Sequence, residues 1–377
     1  MELLAPAGSM EALRAAVCNG ADAVYLGADT FNARINARNF SAADLQEAVV
    51  YCHVRGVKVH LTLNTLVLDR EMPRAAELIR LAASCGVDAF IVQDLGVVSL
   101  CRQLAPDVPI HASTQMSIHS LEGVMEAAAL GCSRVVLARE LPAEEIAHIC
   151  KRSPVEIEVF VHGALCMCYS GQCYLSSVIG RRSGNRGRCA QPCRLPYGVN
   201  APAKKAYPLS LKDSCLAGRL EEMGAMGVSC VKLEGRMKRP EYVAVITSVY
   251  RRLLDEKRRP TREEQRQLEL AFSRSGWPNP LGILPRSEIQ NVSYRLRQQQ
   301  LERLSFDQQD PLTGSQPTVR VLLREVTAFR LRFYADGRWQ ETWDRPQRLP
   351  QGLEITLTLA NRGEITRLFL LTPGGGQ

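Results

Sequence analysis

The chain has 377 residues, of which 46% are hydrophobic, and it carries a formal net charge of +8. This length is enough for one large domain plus a smaller one, and a sizeable hydrophobic core can form. No apolar run approaches the ~20 residues of a membrane span, and the first residues lack the basic segment that begins a signal peptide, so we expect a cytoplasmic protein with no membrane partner. The positive charge favours an anionic partner such as RNA, although many basic enzymes bind none.

Short apolar runs alternate with helical patterns from the first residue to about residue 255. In chain order, strands are predicted at 2–6, 23–27, 57–64, 89–94, 110–115, 134–139, 155–161 and 230–234. Four glycines are placed to end a helix in the left-handed conformation before the next strand, namely Gly20, Gly86, Gly131 and Gly227. About eight apolar strands separated by helices indicate a parallel sheet covered on both faces. They favour an α/β fold of the (β/α)8 type, a TIM-like barrel, over a doubly wound sheet.

The pattern changes in the last third of the chain. Residues 1–255 are assigned to the barrel, and residues 256–317 are interpreted as a helical and Pro/Gly-rich linker. From Thr318 onward, apolar and polar residues alternate, with a turn signal at Asp336-Gly337. We therefore predict a small C-terminal antiparallel β domain over residues 318–377.

Polar residues gather where the predicted strands end. They are Asn64, Gln93, Asp94, Ser113, Gln115, Arg139, Glu140, His162, Glu234 and Arg236. The carboxyl ends of barrel strands share one face, which is the catalytic face in barrel enzymes. Any one of these residues could instead cap a helix, but caps need not recur on one face.

Four cysteines in a short stretch predict a metal site. Cys166 and Cys173 are separated by six residues, and Cys189 and Cys193 by three. Thiolates grouped in this way, in a chain without an export signal, indicate metal binding rather than disulfides. A structural zinc site prefers pairs two to four residues apart, and the first pair is too widely spaced for that. Wider spacings are common in iron–sulfur sites, where each sulfur binds a different corner of a larger cluster.

Other interpretations of this stretch stay open at this point. His162 and Cys168 could also be ligands, and the four cysteines could be buried free thiols. Nearby glycines favour a ligand role because they predict loops, and loops bury sulfur poorly. Arginines lie between and beside the pairs at positions 181, 182, 186, 188 and 194. They could offset the negative charge of a cluster, bind phosphates, or simply form a solvated loop.

The segment from Glu158 to Ser176 resembles the defining motif of the collagenase-like peptidase family U32. Flanking phrases agree with it, including Leu4-Ala-Pro-Ala-Gly8, Gly20-Ala-Asp-Ala-Val-Tyr-Leu-Gly27, Ser113-Thr-Gln-Met116 and Lys232-Leu-Glu-Gly-Arg-Met-Lys238. The resemblance covers about residues 1–255. After the barrel, the family usually has a Phe-Asn-Arg-Gly-like segment, whereas this chain reads Phe272-Ser-Arg-Ser-Gly276.

The resemblance implies more than a peptidase. The family is named for peptidase activity but has no assigned catalytic type, and its better-understood bacterial branches hydroxylate. One branch makes 5-hydroxycytidine in large-subunit ribosomal RNA, and another makes 5-hydroxyuridine in tRNA, with prephenate implicated as a co-substrate. A third hydroxylates ubiquinone precursors without oxygen and carries 4Fe–4S clusters. The cysteine pattern here is most similar to that of the RNA branches, which implies Cys166, Cys173, Cys189 and Cys193 as ligands and Cys215 as a reserve.

The leading hypothesis is an iron–sulfur barrel enzyme that hydroxylates carbon 5 of a pyrimidine in rRNA or tRNA. Its pocket would be lined by Asn64, Gln115, Arg139, His162, Glu234 and Arg236, with Glu234 and His162 as candidate acid or base. The β domain and the basic loops would hold phosphates. The alternatives are a peptidase, an oxygen-independent hydroxylase of a quinone precursor, and a zinc protein that only binds RNA. Sequence motifs typical of hydrolase nucleophiles, zinc proteases and phosphate loops are missing from the sequence.

Overall fold

The computed structural model describes residues 1–35, 37–195, 197, 207–271, 292–305, 317–345, 350–361 and 363–370. These residues form two compact units, one within Met1–Arg286 and one within Ser287–Gln377. The Phe272–Gly276 segment and the Pro/Gly-rich part of the predicted linker lie outside the described residues.

The first unit is a closed barrel of eight parallel strands. In chain order the strands are β1 (Glu2–Pro6), β2 (Ala23–Gly27), β3 (Lys58–Leu63), β4 (Ala89–Val92), β5 (Ile110–Ala112), β6 (Arg134–Val136), β7 (Glu156–Gly163), β8 (Ser214–Cys215) and β9 (Cys230–Leu233). Strands β1 to β7 pair in sequence, and β9 closes the ring by pairing in parallel with both β7 and β1. Strand β8 is a short antiparallel addition to β7. The prediction of a TIM-like barrel is confirmed.

Helices cover the outside of the ring. They are α1 (Met10–Cys18), α2 (Ala42–His53), α3 (Met72–Cys85), α4 (Leu95–Leu104), α5 (Leu121–Ala129), α6 (Ala143–Arg152), α7 (Leu175–Gly180), α8 (Leu220–Met226), α9 (Pro240–Glu256) and α10 (Arg262–Ala271). The side chains of Ser9 and Asp94 cap the N-termini of α1 and α4. Gly86 and Gly227 end α3 and α8 with positive φ, as predicted. None of the helices in the described ranges is long and apolar enough to cross a membrane.

Charged side chains are buried at the N-terminal ends of the barrel strands. Arg134 Nη1 lies 2.6 Å from Glu2 Oε1 and 3.3 Å from Glu158 Oε2, and Lys232 Nζ lies 2.7 Å from Glu158 Oε1. His60 and His111 pack edge to face in the same interior, with ring centroids 4.9 Å apart. We call these residues the floor network. Because the floor network pairs its own charges, the opposite end of the barrel is the better place for a site.

The second unit consists of two antiparallel sheets. The first contains β10 (Val292–Arg297), β11 (Gln300–Ser305) and β12 (Thr318–Arg324), and the second contains β13 (Val326–Ala335), β14 (Arg338–Gln340), β15 (Gly352–Leu359) and β16 (Gly363–Leu370). The predicted turn at Asp336-Gly337 joins β13 to β14, and both residues have positive φ, as a tight hairpin turn requires. The antiparallel class is as predicted, but strands β10 and β11 lie inside the segment that was interpreted as a linker.

Candidate active site

The four-cysteine stretch forms a loop-rich layer between β7 and β8, which we call the cysteine lobe (residues 164–195). Two glycines let this lobe lie directly against the barrel. A Cβ on Gly171 would lie 2.1 Å from the carbonyl oxygen of Gln115, and one on Gly187 would lie 2.4 Å from that of Asn32. Both glycines also have positive φ, so the lobe could not approach this closely with larger residues at these positions.

Hydrogen bonds and an ion pair attach the cysteine lobe to the C-terminal ends of the barrel strands. Arg186 Nη2 lies 2.6 Å from Glu71 Oε1, at the start of α3. The backbone N–H of Ser170 donates to Glu140, which follows β6. Arg194 donates to the carbonyl oxygens of Leu165 and Leu211 and so bridges the two ends of the excursion. The lobe therefore covers the face where strand-end side chains were expected to meet.

Cys166, Cys173, Cys189 and Cys193 all line one cavity of roughly 340 Å³ between the cysteine lobe and the barrel. Cys166 and Cys189 are exposed, and the other two are half-buried. Cysteines elsewhere in the barrel behave differently. Cys101, for example, is buried, and burial raises the pKa of its thiol to about 12. Cys168, the fifth cysteine of the lobe, is half-buried and does not line this cavity. The other four are thus the grouped, at least partly exposed thiols that a metal group would need.

The pKa of Cys193 shows that these sulfurs share one electrostatic environment. Burial raises the pKa of the Cys193 thiol, and the nearby Arg194 guanidinium lowers it. Negative charge on the other three thiolates raises it further; these are Cys166, Cys189 and Cys173. Within the described residues, no group of three or more His, Cys, Asp or Glu side chains is placed to hold a single metal ion.

The same cavity contains a carboxylate that is shared by two arginines. Glu234, just after β9, accepts from Arg34 Nη2 at 2.7 Å and from Arg139 Nη1 at 2.8 Å. Arg139 also stacks on the ring of Phe160, with its guanidinium carbon 4.1 Å from the ring centroid. Glu234 therefore lies between two fixed cations and lines the cavity.

Arg236 is the most buried cation in this group, with 5% of its surface exposed. It donates to Thr62 Oγ1 at 2.8 Å and to Asn32 Oδ1 at 3.4 Å, and it forms no ion pair with any carboxylate that the structure describes. Burial lowers the pKa of its guanidinium to about 10. A buried guanidinium held only by neutral groups favours an anion in the adjoining cavity.

Two other predicted residues are placed at the same mouth. Asn64 Oδ1 accepts from the backbone N–H of Ala33, so Asn64 fixes the loop that carries Arg34. Gln115 lines the main cavity, and its backbone carbonyl accepts from Gln93. The structure thus brings Asn64, Gln115, Arg139, Glu234 and Arg236 together around the barrel mouth.

His162 and Cys215 are the exceptions. They lie opposite each other on β7 and β8, and His162 lines a second cavity of roughly 230 Å³ rather than the cysteine cavity. Its Nδ1 is 3.3 Å from the Tyr250 hydroxyl, which is also 3.7 Å from Cys215 Sγ. Burial lowers the pKa of His162 to about 4 and raises that of Cys215 to about 11. Neither residue is among those that surround the four thiols.

A register shift explains the position of His162. The pairing of β7 with β9 slips between Phe160 and His162, so one extra residue is inserted into β7. Such a bulge re-aims the side chains that follow it. Phe160 remains at the barrel mouth, whereas His162 packs against Tyr250 of α9.

Arg34 is the main site residue that the sequence did not reveal. It lies in the loop after β2 rather than directly at a strand end, and its ion pair with Glu234 joins positions 200 residues apart. Burial lowers the pKa of Arg34, but the charge and hydrogen bond of the Glu234 carboxylate raise it, and the net pKa lies above the ordinary value. A basic residue in a loop is a weak sequence signal, because most such residues are solvated.

The sequence model of peptidase family U32 matches residues 8–279, and the chain therefore belongs to this family. The 23S rRNA 5-hydroxycytidine C2501 synthase of Escherichia coli is 42% identical over 260 residues, which are 68% of this chain and 39% of that protein. The tRNA hydroxylation protein P1 of Bacillus subtilis is 39% identical over 265 residues, 67% of this chain and 63% of that protein. The chain spans less than two thirds of the length of either relative.

The end of the chain is similar to a different family. Residues 246–371 match the sequence model of type II secretion system (T2SS), protein J. Protein J of the Klebsiella pneumoniae type II secretion system is 75% identical over 108 residues, which are 29% of this chain and 54% of that protein. The sequence motifs of the U32 family end near residue 255, and they gave no indication of the similarity to secretion system protein J.

Proposed function

We propose that this chain is an iron–sulfur enzyme that hydroxylates carbon 5 of a pyrimidine in rRNA or tRNA. One observation carries the proposal: four grouped thiols line the same cavity as the Arg34–Glu234–Arg139 cluster and Arg236. A redox group, a proton acceptor and cations for an anionic substrate would thus share one space. The names of two relatives at about 40% identity support RNA as the substrate class. An RNA substrate also agrees with the expectation of a cytoplasmic protein.

Cys166, Cys173, Cys189 and Cys193 would hold a 4Fe–4S cluster. The donor set fits, because the four thiols line one cavity. The loops around them contain glycines and could accommodate the volume of a cluster. When bound, the cluster would supply electron transfer or activation of the substrate. Zinc remains the alternative cofactor, but the six-residue gap between the first two cysteines is too wide for a knuckle.

The chain's own residues would position the base and handle its proton. Replacing hydrogen by hydroxyl at carbon 5 removes a proton and two electrons from the base and adds hydroxide, so an oxygen-donating, electron-accepting co-substrate must enter with the RNA. Glu234 is the carboxylate that borders the cavity and would take the proton. Arg34 and Arg139 pair with the Glu234 carboxylate and fix its position, and this carboxylate would accept the proton. Arg236 would bind an anionic group of the substrate. His162 lines the second cavity, which Arg139 and Glu234 also border, and it stays a candidate acid or base there.

The cofactor is tested by iron analysis of anaerobically purified protein. We expect brown protein with about four irons per chain. Cys173→Ala should lose most of this iron, and Cys101→Ala, a buried cysteine of α4, should keep it. Equal iron in the two variants would overturn the ligand assignment, and stoichiometric zinc with no visible chromophore would favour the zinc alternative.

The substrate is tested by nucleoside mass spectrometry. Deleting the gene in its host should remove the mass of one oxygen from one pyrimidine of rRNA or tRNA, and the wild-type gene should restore it. Unchanged rRNA and tRNA nucleosides would overturn the RNA proposal. Adding or withholding prephenate in a reconstituted reaction would show whether the co-substrate that the family resemblance implies is needed.

The family's name keeps a peptidase as the second candidate. A peptidase would retain activity after iron is removed, whereas a cluster enzyme would not. A shift in the quinone pool of the deletion strain, with unchanged RNA, would favour the quinone hydroxylase instead. The second unit is not included in the RNA proposal, because its similarity is to a secretion system protein whose name does not connect it with RNA.

A further inference from the structure

The charge of the chain is concentrated around the cysteine lobe. From Val159 to Lys212 there are 54 residues with five arginines and three lysines but no aspartate or glutamate. The remaining residues carry 39 basic and 39 acidic side chains, so this segment alone accounts for the formal net charge of +8. A long segment of one sign in an otherwise balanced chain points to a polyanionic partner at this position.

Three arginines of the lobe are available to such a partner. Arg181, Arg182 and Arg188 are exposed, and none of them forms an ion pair within the part of the chain that the structure describes. Arg186 differs, because Glu71 already pairs with it at 2.6 Å. Guanidinium groups without a carboxylate partner can bind phosphates without first breaking an ion pair.

Two exposed aromatic rings belong to the same cysteine lobe as these arginines. Tyr169 is 61% exposed and Tyr174 is 63% exposed, on either side of Cys173. The Tyr169 ring stacks with His119 at a centroid distance of 6.2 Å and an interplanar angle of 27°. Tyr169 also lines the cysteine cavity, so the surface and the cavity are continuous. Exposed rings among arginines are typical of surfaces on which single-stranded bases stack.

We propose that the cysteine lobe is itself the docking surface for single-stranded RNA. Tyr169 and Tyr174 stack bases beside the cavity entrance, while Arg181, Arg182 and Arg188 contact the flanking phosphates. This rests on the proposed function for the RNA substrate and adds which residues bind it. Val178 and Ile179 are also exposed on α7, a feature that a membrane surface could use, but the continuity of Tyr169 with the cavity favours RNA.

Binding of a fluorescein-labelled 12-nucleotide oligocytidylate RNA to the full-length protein, followed by fluorescence anisotropy, tests this surface. Tyr169→Ala and Tyr174→Ala should each weaken binding about 5- to 150-fold, because each removes one stacked base. Tyr174→Trp should bind at least as tightly as wild type. Tyr294→Ala removes an equally exposed tyrosine from the second unit and should leave the affinity unchanged.

The arginines are tested by salt dependence. Changing Arg181, Arg182 and Arg188 together to Ala should reduce the slope of log affinity against log salt by about two, since each phosphate contact on a single strand contributes roughly 0.7. Arg14→Ala is the control, because Arg14 is exposed on α1 and already paired with Glu47. Its slope should match that of wild type.

The outcomes separate this proposal from the proposed function. Wild-type RNA affinity in both tyrosine variants and an unchanged salt slope in the arginine variant would overturn the docking surface, whatever the activity. Binding to vesicles of anionic phospholipid without binding to the RNA would overturn it in favour of a membrane. Unchanged nucleosides in the deletion strain, together with the expected binding losses, would instead overturn the hydroxylase and leave the RNA surface standing.

Discussion

The barrel has an arginine–glutamate cluster at each end of its strands, and the two clusters differ in how their charges are balanced. In the floor network, Arg134 and Lys232 share the carboxylates of Glu2 and Glu158. At the mouth, Arg34 and Arg139 share the single carboxylate of Glu234. A third guanidinium, Arg236, has no carboxylate partner among the described residues. The floor satisfies its own charges, whereas the mouth has cations in excess.

The two clusters also differ in the solvent exposure of their carboxylates. The Glu158 side chain is 0% exposed, and that of Glu234 is 15% exposed and borders the main cavity. Removing one partner of a fully buried pair leaves an uncompensated charge that water cannot reach. At the mouth, water or a bound anion can replace a missing partner. The floor therefore contributes to stability and specificity of the fold, and the mouth is suited to binding and chemistry.

The largest expected effect concerns the floor. Glu158→Ala should lower the free energy of unfolding by about 3–5 kcal/mol, because Lys232 and Arg134 lose their buried partner. Denaturant unfolding measures this loss. Glu47→Ala is the control, because it removes one partner of an exposed pair with Arg14 and should cost less than ~1 kcal/mol. If Glu158→Ala also costs less than ~1 kcal/mol, the pairing within the floor network does not contribute to the stability of the barrel.

At the mouth, the effect should fall on activity. Glu234→Gln should reduce hydroxylation about 10²-fold or more, because a neutral amide cannot accept a proton from the base. Its free energy of unfolding should change by less than ~1 kcal/mol, and its iron content should be unchanged. Turnover and denaturant unfolding, both measured on this variant, test whether activity is lost while stability is retained. If the variant loses stability as Glu158→Ala does, the two clusters have the same structural role and the comparison fails.

Acid should destabilise the floor in steps that its pKa values define. Burial lowers the pKa of both His60 and His111 to about 3. Burial raises the pKa of Glu2, but its contacts with Arg134 outweigh this and lower it to about 2. Because all three pKa values lie below those of the unfolded chain, the unfolded state binds more protons in acid.

The stability that these groups contribute is complete above pH ~6.5. It is lost as the pH falls from about 6.5 towards 3 for the histidines, and from about 4.5 towards 2 for Glu2, at roughly 1.4 kcal/mol per pH unit for each group. Urea unfolding at several pH values between 7 and 4 measures the slope. A flat profile across this range would contradict the buried histidine assignment.

The smallest expected effect comes from removing the second unit. A chain that ends at Arg286 keeps all the described barrel elements and the cysteine lobe. Because this unit is similar to a secretion protein rather than to the RNA-modifying relatives, iron content and hydroxylation should change by less than about twofold. Loss of activity in this variant, with iron retained, would show that the β sheets take part in RNA binding after all.

Much of the barrel could be predicted because its signals are local. Apolar runs of strand length, helical spacing between them and a glycine after several of the helices repeat along the chain, and all eight predicted strands are present. The grouping of Cys166, Cys173, Cys189 and Cys193 was also visible, because the ligand candidates lie within one short segment. The class of the second unit followed from alternation of apolar and polar residues, although its first strands, β10 and β11, were missed because they follow a Pro/Gly-rich stretch and were assigned with it to the linker.

The tertiary structure decided which of the strand-end residues share a cavity. Barrel closure brings Arg34 to Glu234, and a register shift in β7 turns His162 away to Tyr250, although its position in the sequence placed it with the others. Lys232, two residues before Glu234 in the chain, lies inside the barrel beside Glu158. A sequence records which residues follow a strand, but the direction of a side chain depends on pairing register and bulges. Those are set by contacts between segments that are far apart in the chain.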